Sequence, residues 1–509
     1  MRQNTSSSVV VLLVAVGLSA LALVEAKNYV YEKIDILNGK RYVSRYEQPF
    51  FRVYHPPHHK NAREDPPEDI GEDDLSGTVG HPHHNNVGPR RGPPSKKGGI
   101  RLPPKFGHHN LPDEDPKDFI EPRWPADLAN YVHCMDIPCT CPYYEGTVVN
   151  NTCVLPSGKV LGKALRKDYR TYTPEERSLF VDALHRMKKS GVLGEIGRVH
   201  KYAGVHSGPG FYPWHREFFK RMEIAFRKFY PDLGLPYWDS TLDNNLPEPK
   251  DSVMFSDYLL GASNSEGYVV TGVWANWTTL EGRYTFQRLL ADEPDGEFFN
   301  DARINYVLDQ TEVKYVMAYS LPLHGCINYT LDDRFLEYSH DYTHYYISGD
   351  MYERFSSNND PIFFMHHGFV DSIWELWRQQ RQSRAEREEQ YPEDNPECEP
   401  PWHFRNEQMA MLSPFRNIDA LSNKYTDNFF EYAPRPTCTA IDPNCRSEFL
   451  FCDLITNDEP KCSAKVKLGG NCTGFEKIPD SCYKGKCVNG TCVEDSEEKK
   501  LDKRQDGYM

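Results

Sequence analysis

Four histidines in one short stretch are the side chains best suited to do chemistry in this chain. His340 and His344 are four positions apart, and His366 and His367 follow in an apolar segment that begins at Asp360. Side chains at i and i+4 share one face of a helix, so the first pair can present two imidazoles to one point. A third imidazole from the later pair would complete a metal-ligand set. Three imidazoles without cysteine or carboxylate suit copper, zinc, iron or nickel.

A second set of histidines lies upstream of the first. His185 falls in a predicted amphipathic helix, His206 lies on a Ser-Gly-Pro-Gly loop, and His215 is among the first residues of a helix introduced by Pro213. Two trios carried largely by helices predict a binuclear metal site inside a helix bundle, where facing helices supply the ligands. Other histidines are interpreted as structural, surface or loop residues: His133, His200, His324 and His403.

The sequence also predicts where the helices that position these histidines begin. Thr173, Pro174 and Glu176 have the pattern of a capping box with proline at the first helical position. Asp360 and Pro361 give another helix a similar start, with Asp360 as the N-cap. The expected fold is therefore mainly α, with a four-helix-bundle domain and long loops around the binuclear site.

Composition and charge predict an exported protein. The 509 residues are 39% hydrophobic and 13% aromatic, which is enough for at least one large core. The net charge of -15 leaves no excess of basic residues to neutralise phosphates, so nucleic acid is excluded as a partner. Residues 1–26 have the pattern of a secretory signal peptide with cleavage after Ala26, and no later stretch is apolar enough to span a bilayer. The expected location is secreted and extracellular, with no membrane partner.

Cysteine usage agrees with export. The 14 cysteines fall into three even groups, which favours disulfides within each group. The groups are Cys134, Cys139, Cys141 and Cys153; Cys326 and Cys398; and eight cysteines from Cys438 to Cys492. Asn-x-Thr triplets add candidate glycosylation sites at Asn150, Asn276, Asn328, Asn471 and Asn489.

Shifts in composition divide the chain. Residues 55–116 contain Pro, Gly, His and acidic residues with almost no aliphatic content, so they are predicted to be disordered. The segment that carries the last cysteine group must be stabilised by disulfides, because so short a segment has little core of its own. The expected regions are a signal peptide at 1–26, a low-complexity region at 27–120 that is rich first in Tyr and Lys and then in His, Pro and Gly, a metal-binding domain at 121–435, a Cys-rich domain at 436–495 and a tail at 496–509.

Long motifs surround the histidines of both trios. They are GPGFYPWHREF with the later LPYWDS, HDYTH followed by Gly349, and NDPIFFMHHGFVDSIWELW. Together they resemble tyrosinases, which belong to the type-3 binuclear copper family with catechol oxidases and molluscan haemocyanin. The resemblance covers roughly residues 160–435. The Cys-rich tail resembles those of secreted invertebrate tyrosinases.

The resemblance implies two copper ions as cofactors. In the family, the second histidine of the His-His pair is the one that binds the metal. The implied ligands are, for the first copper, His185, His206 and His215 and, for the second copper, His340, His344 and His367.

Other positions of the motifs are expected to support the ligands. His366 would lie beside the site, and Asp371, one helical turn after His367, would either orient a ligand or form a salt bridge across the bundle. Glu337 and Asp341 would hold a water that accepts the phenol proton, although the family usually has Asn at the position of Asp341. Two carboxylates around one water repel each other and raise one pKa.

Position 204 departs from the family pattern. Some members join a cysteine, two residues ahead of the middle ligand of the first copper, to that ligand through a thioether. Gly204 occupies this position. The loop that carries His206 is therefore expected to be held by packing and hydrogen bonds.

The implied activity is that of a copper oxidoreductase, a monophenol monooxygenase and catechol oxidase. It would use O2 to hydroxylate monophenols at the ortho position and to oxidise o-diphenols to o-quinones, for pigment formation or crosslinking of an extracellular matrix. The implied partners are O2, phenols, catechols, Tyr or DOPA residues of proteins, and extracellular matrix proteins. Alternatives are a catechol oxidase without monophenolase activity, a haemocyanin-like oxygen carrier and a redox-silent zinc protein. The lack of an internal repeat of the site speaks against the carrier.

Overall fold

The computed structural model describes residues 29–35, 40–46, 120–320, 326–398 and 401–495. The predictions for the signal peptide, the disordered segment, His324 and the tail lie outside these residues. The chain divides into two units, residues 1–93 and residues 94–509. In the first unit, β1 (Tyr29–Asp35) and β2 (Lys40–Tyr46) pair as an antiparallel hairpin.

Helices carry all the metal-ligand candidates of the second unit except His206, and they form its core with long loops between them. None of the described helices is long and apolar enough to cross a membrane. The helices are α1 (Ile137–Thr140), α2 (Pro174–Lys189), α3 (Val192–Ala203), α4 (Phe211–Arg227), α5 (Thr241–Asn244), α6 (Asp301–Asp309), α7 (Leu336–Ile347), α8 (Ile362–Arg381) and α9 (Arg384–Glu389).

Helix α2 begins as the sequence predicts. The Thr173 hydroxyl accepts a hydrogen bond from the Glu176 amide at 3.2 Å, and the Glu176 carboxylate accepts one from the Thr173 amide at 2.8 Å. Two amides that have no partner within the helix are thereby satisfied. The buried face of α2 is formed by Phe180, Ala183, Leu184 and Met187.

Helix α3 follows α2 after Gly191 and carries His200. Its apolar side chains Leu193, Ile196 and Val199 are buried in the main core. Helix α4 begins at Phe211, two residues before the predicted start at Pro213. Proline is tolerated there because amides of the first turn have no partner within the helix.

Helices α7 and α8 lie deep in the molecule. All side chains of α7 are buried. Helix α8 has Pro361 as its N-cap, one residue after the predicted cap, and the Asp360 carboxylate accepts a hydrogen bond from the Ile362 amide at 2.9 Å. The same carboxylate pairs with buried Arg288 at 2.5 Å, which ties the start of α8 to a distant loop.

Short strands close the helical region. Strands β3 (Thr147–Val149) and β4 (Thr152–Val154) form a hairpin near the first cysteine group. Strand β5 (Ala164–Arg166) pairs in parallel with β6 (Phe430–Tyr432). The two ends of the helical region are therefore joined to each other.

The C-terminal region is rich in disulfides. Its strands β7 (Leu450–Asp453) and β8 (Lys461–Ala464) form one hairpin, and β9 (Gly485–Val488) and β10 (Thr491–Glu494) form another. The region packs on the helical region through main-chain bonds such as Val253 N–H to Lys465 C=O at 2.8 Å. Pairing within each cysteine group is confirmed: Cys134–Cys139, Cys141–Cys153, Cys326–Cys398, Cys438–Cys452, Cys445–Cys462, Cys472–Cys487 and Cys482–Cys492.

Candidate metal centre

Helices α7 and α8 bring together one group of three buried histidines. His340 and His344 lie one turn apart on α7, and His367 reaches them from α8. The Nε2 atom of His367 lies 3.2 Å from that of His340 and 3.4 Å from that of His344. Three ring nitrogens thus converge on one point, as the four-residue spacing predicts.

A second group joins α3, the following loop and α4. It consists of His200, His206 and His215, with one ring nitrogen from each within 4.8 Å of the others. His200 and His215 are buried, whereas His206 is half-buried. His206 is therefore the histidine of this centre closest to solvent.

The structure corrects the expectation for His185. This residue lies on the exposed side of α2, where its Nε2 atom is 3.0 Å from the Val273 carbonyl oxygen and its ring stacks on Trp274. It follows Leu184 on the helix, and a step of one residue turns the side chain about 100° away from the buried stripe.

His200 occupies the place expected for His185. His200 is not a surface residue, since its ring is buried and lies among the other candidate ligands. The sequence did carry a signal for it. Leu193, Ile196, His200 and Ala203 repeat every three or four residues, which places His200 on the apolar face of a helix.

The two histidine groups face each other. The rings of His215 and His367 are nearly parallel, with centroids 4.6 Å apart, and those of His206 and His340 are 6.2 Å apart. The ring of Phe363 packs against the rings of His367 and His200, with centroid distances of 4.3 Å and 4.6 Å. Two three-nitrogen groups at this separation form a binuclear arrangement.

Hydrogen bonds orient several of these rings through the Nδ1 atom. Nδ1 lies 2.8 Å from the Phe211 carbonyl oxygen in His215, and 2.6 Å from the Met351 carbonyl oxygen in His344. A ring that donates its Nδ1 proton to a carbonyl keeps a lone pair on Nε2 for a metal. The buried Nε2 atom of His215 and both ring nitrogens of buried His200 have no hydrogen-bond partner.

Burial keeps these imidazoles neutral. It lowers the pKa of His215 to about 3 and that of His344 to about 4. Burial followed by repulsion from neighbouring imidazoles lowers the pKa values of His200 and His367 well below the usual range. Neutral nitrogens with free lone pairs are the form that binds a metal ion.

Two carboxylates flank the α7 histidines. Glu337 accepts hydrogen bonds from the Ser207 amide at 2.5 Å and from the Ser320 hydroxyl at 2.7 Å. Asp341 Oδ1 lies 3.0 Å from Nδ1 of His340, so it supports a candidate ligand directly. Burial raises the pKa of both carboxyls, and the charge of Glu337 raises that of Asp341 further.

His366 and Asp371 support the helices in different ways. Nε2 of His366 lies 3.2 Å from the His340 carbonyl oxygen, and the two rings stack with centroids 5.0 Å apart. Asp371 accepts hydrogen bonds from Arg216 at 2.8 Å and from Tyr432 at 2.5 Å. Of the two roles expected for Asp371, the structure has the salt bridge across the bundle.

The family model described as the common central domain of tyrosinase matches residues 180–380. All six histidines of the two facing groups lie within this match. The chain belongs to the tyrosinase family of type-3 copper proteins. The tyrosinase family holds two copper ions, so the cofactor of this chain is a binuclear copper pair.

Relatives from other organisms cover different shares of the chain. A tyrosinase-like protein of Caenorhabditis elegans, tyr-3, is 43% identical over 373 residues, which are 72% of this chain and 52% of that protein. Tyrosinase-like protein 1 of Margaritifera margaritifera is 29% identical over 330 residues, 62% of each chain. The chain thus spans between half and two thirds of the length of these two relatives. A polyphenol oxidase structure from Thermothelomyces thermophila aligns with a TM-score of 0.43 and 17% identity, over 61% of this chain and 99% of that one.

The donor set of this chain fits copper. Each group offers three imidazole nitrogens and no thiolate or carboxylate, a set that suits copper among the first-row metals. The orphaned ring nitrogens of His200 and the orphaned Nε2 of His215 are buried polar atoms that a metal would satisfy.

Proposed function

We propose that this chain is a secreted copper oxidoreductase that uses O2 to hydroxylate monophenols at the ortho position and to oxidise o-diphenols to o-quinones. The observation that carries the proposal is the pair of facing three-histidine groups. The proposed ligands are His200, His206 and His215 for one copper, and His340, His344 and His367 for the other. We further propose that α3, α4, α7 and α8 form the four-helix copper-binding bundle of a domain at 121–435, followed by a Cys-rich domain at 436–495.

A bound copper pair supplies reversible two-electron chemistry with dioxygen. In the overall balance, one monophenol and one O2 give one o-quinone and one water, whereas two o-diphenols and one O2 give two o-quinones and two waters. No further reductant is needed in either case. The histidines contribute by remaining neutral, because this leaves the positive charge of the metals available to a phenolate.

Glu337 and Asp341 are the proposed acceptors for the phenol proton. Both lie in the second-copper helix α7, and burial raises the pKa of both carboxyls towards the range useful for proton transfer. The oxygens of Glu337 already accept from Ser207 and Ser320, whereas Asp341 hydrogen-bonds His340. Asp341 is therefore the better placed of the two to take a proton.

The bond between Asp341 and His340 also favours a second candidate function. A carboxylate that is engaged by a ligand histidine is less available to deprotonate a phenol. Oxidation of o-diphenols needs less help from a base than hydroxylation of monophenols. A catechol oxidase without monophenolase activity is therefore the alternative.

Export is part of the proposal. Seven disulfides in the described residues are typical of a protein that matures in an oxidising compartment. Phenolic side chains of extracellular matrix proteins, as well as free phenols, are accordingly proposed as substrates.

The test is to load the purified full-length chain with copper and to assay tyrosine and DOPA side by side under air. The metal-free chain and a zinc-loaded chain serve as controls. We expect both substrates to give quinone only in the copper-loaded sample. Turnover of DOPA alone would select the catechol oxidase, and turnover of neither by a chain that holds two coppers would refute both functions.

A further inference from the structure

Two side chains from distant parts of the chain hold the loop that carries His206. This loop, residues 204–210, is called the His206 loop below. Its backbone forms hydrogen bonds with the side chains of His403 and of Glu337 in α7. His403 follows α9 in a short 3-10 helix at Pro401–His403. Neither side chain belongs to the six proposed copper ligands.

His403 hydrogen-bonds two positions of the His206 loop through one ring. Its Nδ1 atom accepts a hydrogen bond from the Gly210 amide at 3.2 Å. Since Nδ1 is an acceptor, the ring proton is on Nε2, and His403 also hydrogen-bonds the backbone of His206. The acceptor of that second bond is therefore the His206 carbonyl oxygen.

His403 is itself fixed in place. The side chain is 2% exposed, and the Tyr391 hydroxyl donates to its carbonyl oxygen at 2.7 Å. The Asn417 amide group donates to the Trp402 carbonyl at 2.7 Å, which holds the preceding residue. A Cβ atom added to Gly208 would come within 3.0 Å of the His403 ring, so loop and ring are in close contact.

Glu337 holds the same loop from the other side. It accepts from the Ser207 amide at 2.5 Å and also hydrogen-bonds the Gly208 amide. Ser207 has φ of +80°, a left-handed conformation that a residue with a side chain adopts only when its surroundings impose it. The carboxylate on α7 is positioned to impose that conformation.

Gly204 leaves no room for a side chain that could anchor the loop. A Cβ atom there would lie 2.8 Å from the carbonyl oxygen of His200 and 3.1 Å from its ring. A larger residue would push against the proposed ligand His200. The His206 loop is thus held from outside, by His403 and Glu337.

We propose that His403 is a positioning residue for His206, and that with Glu337 it forms a hydrogen-bonded clamp which fixes the first copper site in place of a covalent link. The inference rests on the proposed copper ligands. The clamp acts on the backbone at residues 206–210, so its effect reaches the metal through the orientation of the His206 ring.

Three substitutions at His403 distinguish the contribution of its bond to Gly210 from that of its bond to His206. His403→Phe removes both while keeping a buried ring, His403→Asn keeps an acceptor near the Nδ1 position, and His403→Gln keeps a donor near the Nε2 position. His185→Phe is the matched control, because His185 is an exposed histidine outside both groups. Copper binding is measured by titration against a competing chelator, and metal analysis counts the ions bound per chain.

We expect His403→Phe to weaken one of the two copper sites by about 10- to 100-fold, the usual effect of removing a partner that orients a ligand. The Asn and Gln variants should lie between His403→Phe and the wild type, and His185→Phe should match the wild type. If His403→Phe does not fold, the graded loss in the Asn and Gln variants decides the question. Unchanged copper affinity at both sites in these variants would overturn the proposal.

Hydrogen exchange separates this inference from the proposed function. In the metal-free chain, the amides of Ser207 and Gly210 should exchange faster in His403→Phe than in the wild type, whereas a peptide from α2 should not change. This readout needs neither copper nor turnover. A wild-type chain that binds no copper would refute the proposed function, and unchanged exchange in the His206 loop would refute the clamp.

Discussion

The imidazole of His215 lies almost parallel to that of His367, with ring centroids 4.6 Å apart and planes inclined by 15°. His215 projects from α4 and His367 from α8, so this stack joins the two proposed copper sites. The residue after His215 is Arg216, which pairs with Asp371 of α8 at 2.8 Å. The ion pair therefore joins the same two helices, one turn of α8 beyond His367.

Loss of the Asp371 charge is expected to destabilise the protein more than the copper sites. Arg216 and Arg166 are both buried, and Asp371→Asn would leave their positive charges undercompensated. Breaking a buried pair in this way costs about 3–5 kcal/mol of the free energy of unfolding. Urea denaturation measures the cost, and metal analysis of the folded fraction should still give two coppers per chain.

The control for that variant is an exposed pair. Lys159 and Asp232 are 3.0 Å apart, and about two thirds of each side chain is exposed. Asp232→Asn should cost at most about 1 kcal/mol. A cost for Asp371→Asn as small as this one would show that the buried network does not hold α4 to α8.

Asp341 is expected to support copper binding by His340 through its hydrogen bond to the His340 ring. Asp341→Asn retains a carbonyl oxygen that can accept the His340 Nδ1 proton, whereas Asp341→Leu retains none. We expect the Asn variant to keep two coppers and the Leu variant to bind one of them about 10- to 100-fold more weakly. Equal copper affinities in Asp341→Leu and wild type would argue that the Asp341 bond does not support the ligand.

The same Asn variant bears on substrate choice. Asp341→Asn removes the proposed acceptor of the phenol proton, so the ratio of tyrosine to DOPA oxidation should fall relative to the wild type. The two initial rates are measured on one copper-loaded preparation of each protein. An unchanged or higher ratio would show that the Asp341 carboxylate is not the base that monophenols require.

Acid should destabilise the metal-free protein. Burial lowers the folded-state pKa of His215 to about 3 and of His344 to about 4, below the value of about 6.5 for an unfolded chain. Below pH 6.5 the unfolded state therefore binds more protons than the folded state. The full contribution is present above pH 6.5, and each such histidine removes up to about 1.4 kcal/mol per pH unit as the pH falls towards its folded-state value.

Urea denaturation of the metal-free chain between pH 7.5 and pH 4.5 measures this slope. His344→Phe should flatten it by about one proton. A free energy of unfolding that stays constant over this range would mean that the buried histidines do not remain neutral in the folded chain.

Local rules explain what the sequence could predict. The spacing of His340 and His344 and the capping box at Thr173 each depend on residues within a few positions, and the structure has both. The cap of α8 was predicted one residue too early, at Asp360 instead of Pro361. The grouping of cysteines likewise predicted pairing within groups, because each group contains an even number of cysteines.

Predictions that depended on the helical face or on tertiary contact were less reliable. His185 and His200 differ in which face of α2 or α3 they occupy, and the helix containing His200 was not predicted at all. His403 reaches Gly210 across 193 positions of sequence, a contact that no local pattern encodes. The same holds for Asp371, whose partners are on α4 and near the two ends of the helical region.

Copper content of three proteins tests the central claim most directly. Wild type, His200→Ala and His185→Ala are loaded with copper, dialysed against a chelator and analysed for copper per chain. The binuclear site described above predicts about two coppers in wild type and in His185→Ala, and about one in His200→Ala. Two coppers in His200→Ala together with one in His185→Ala would contradict it.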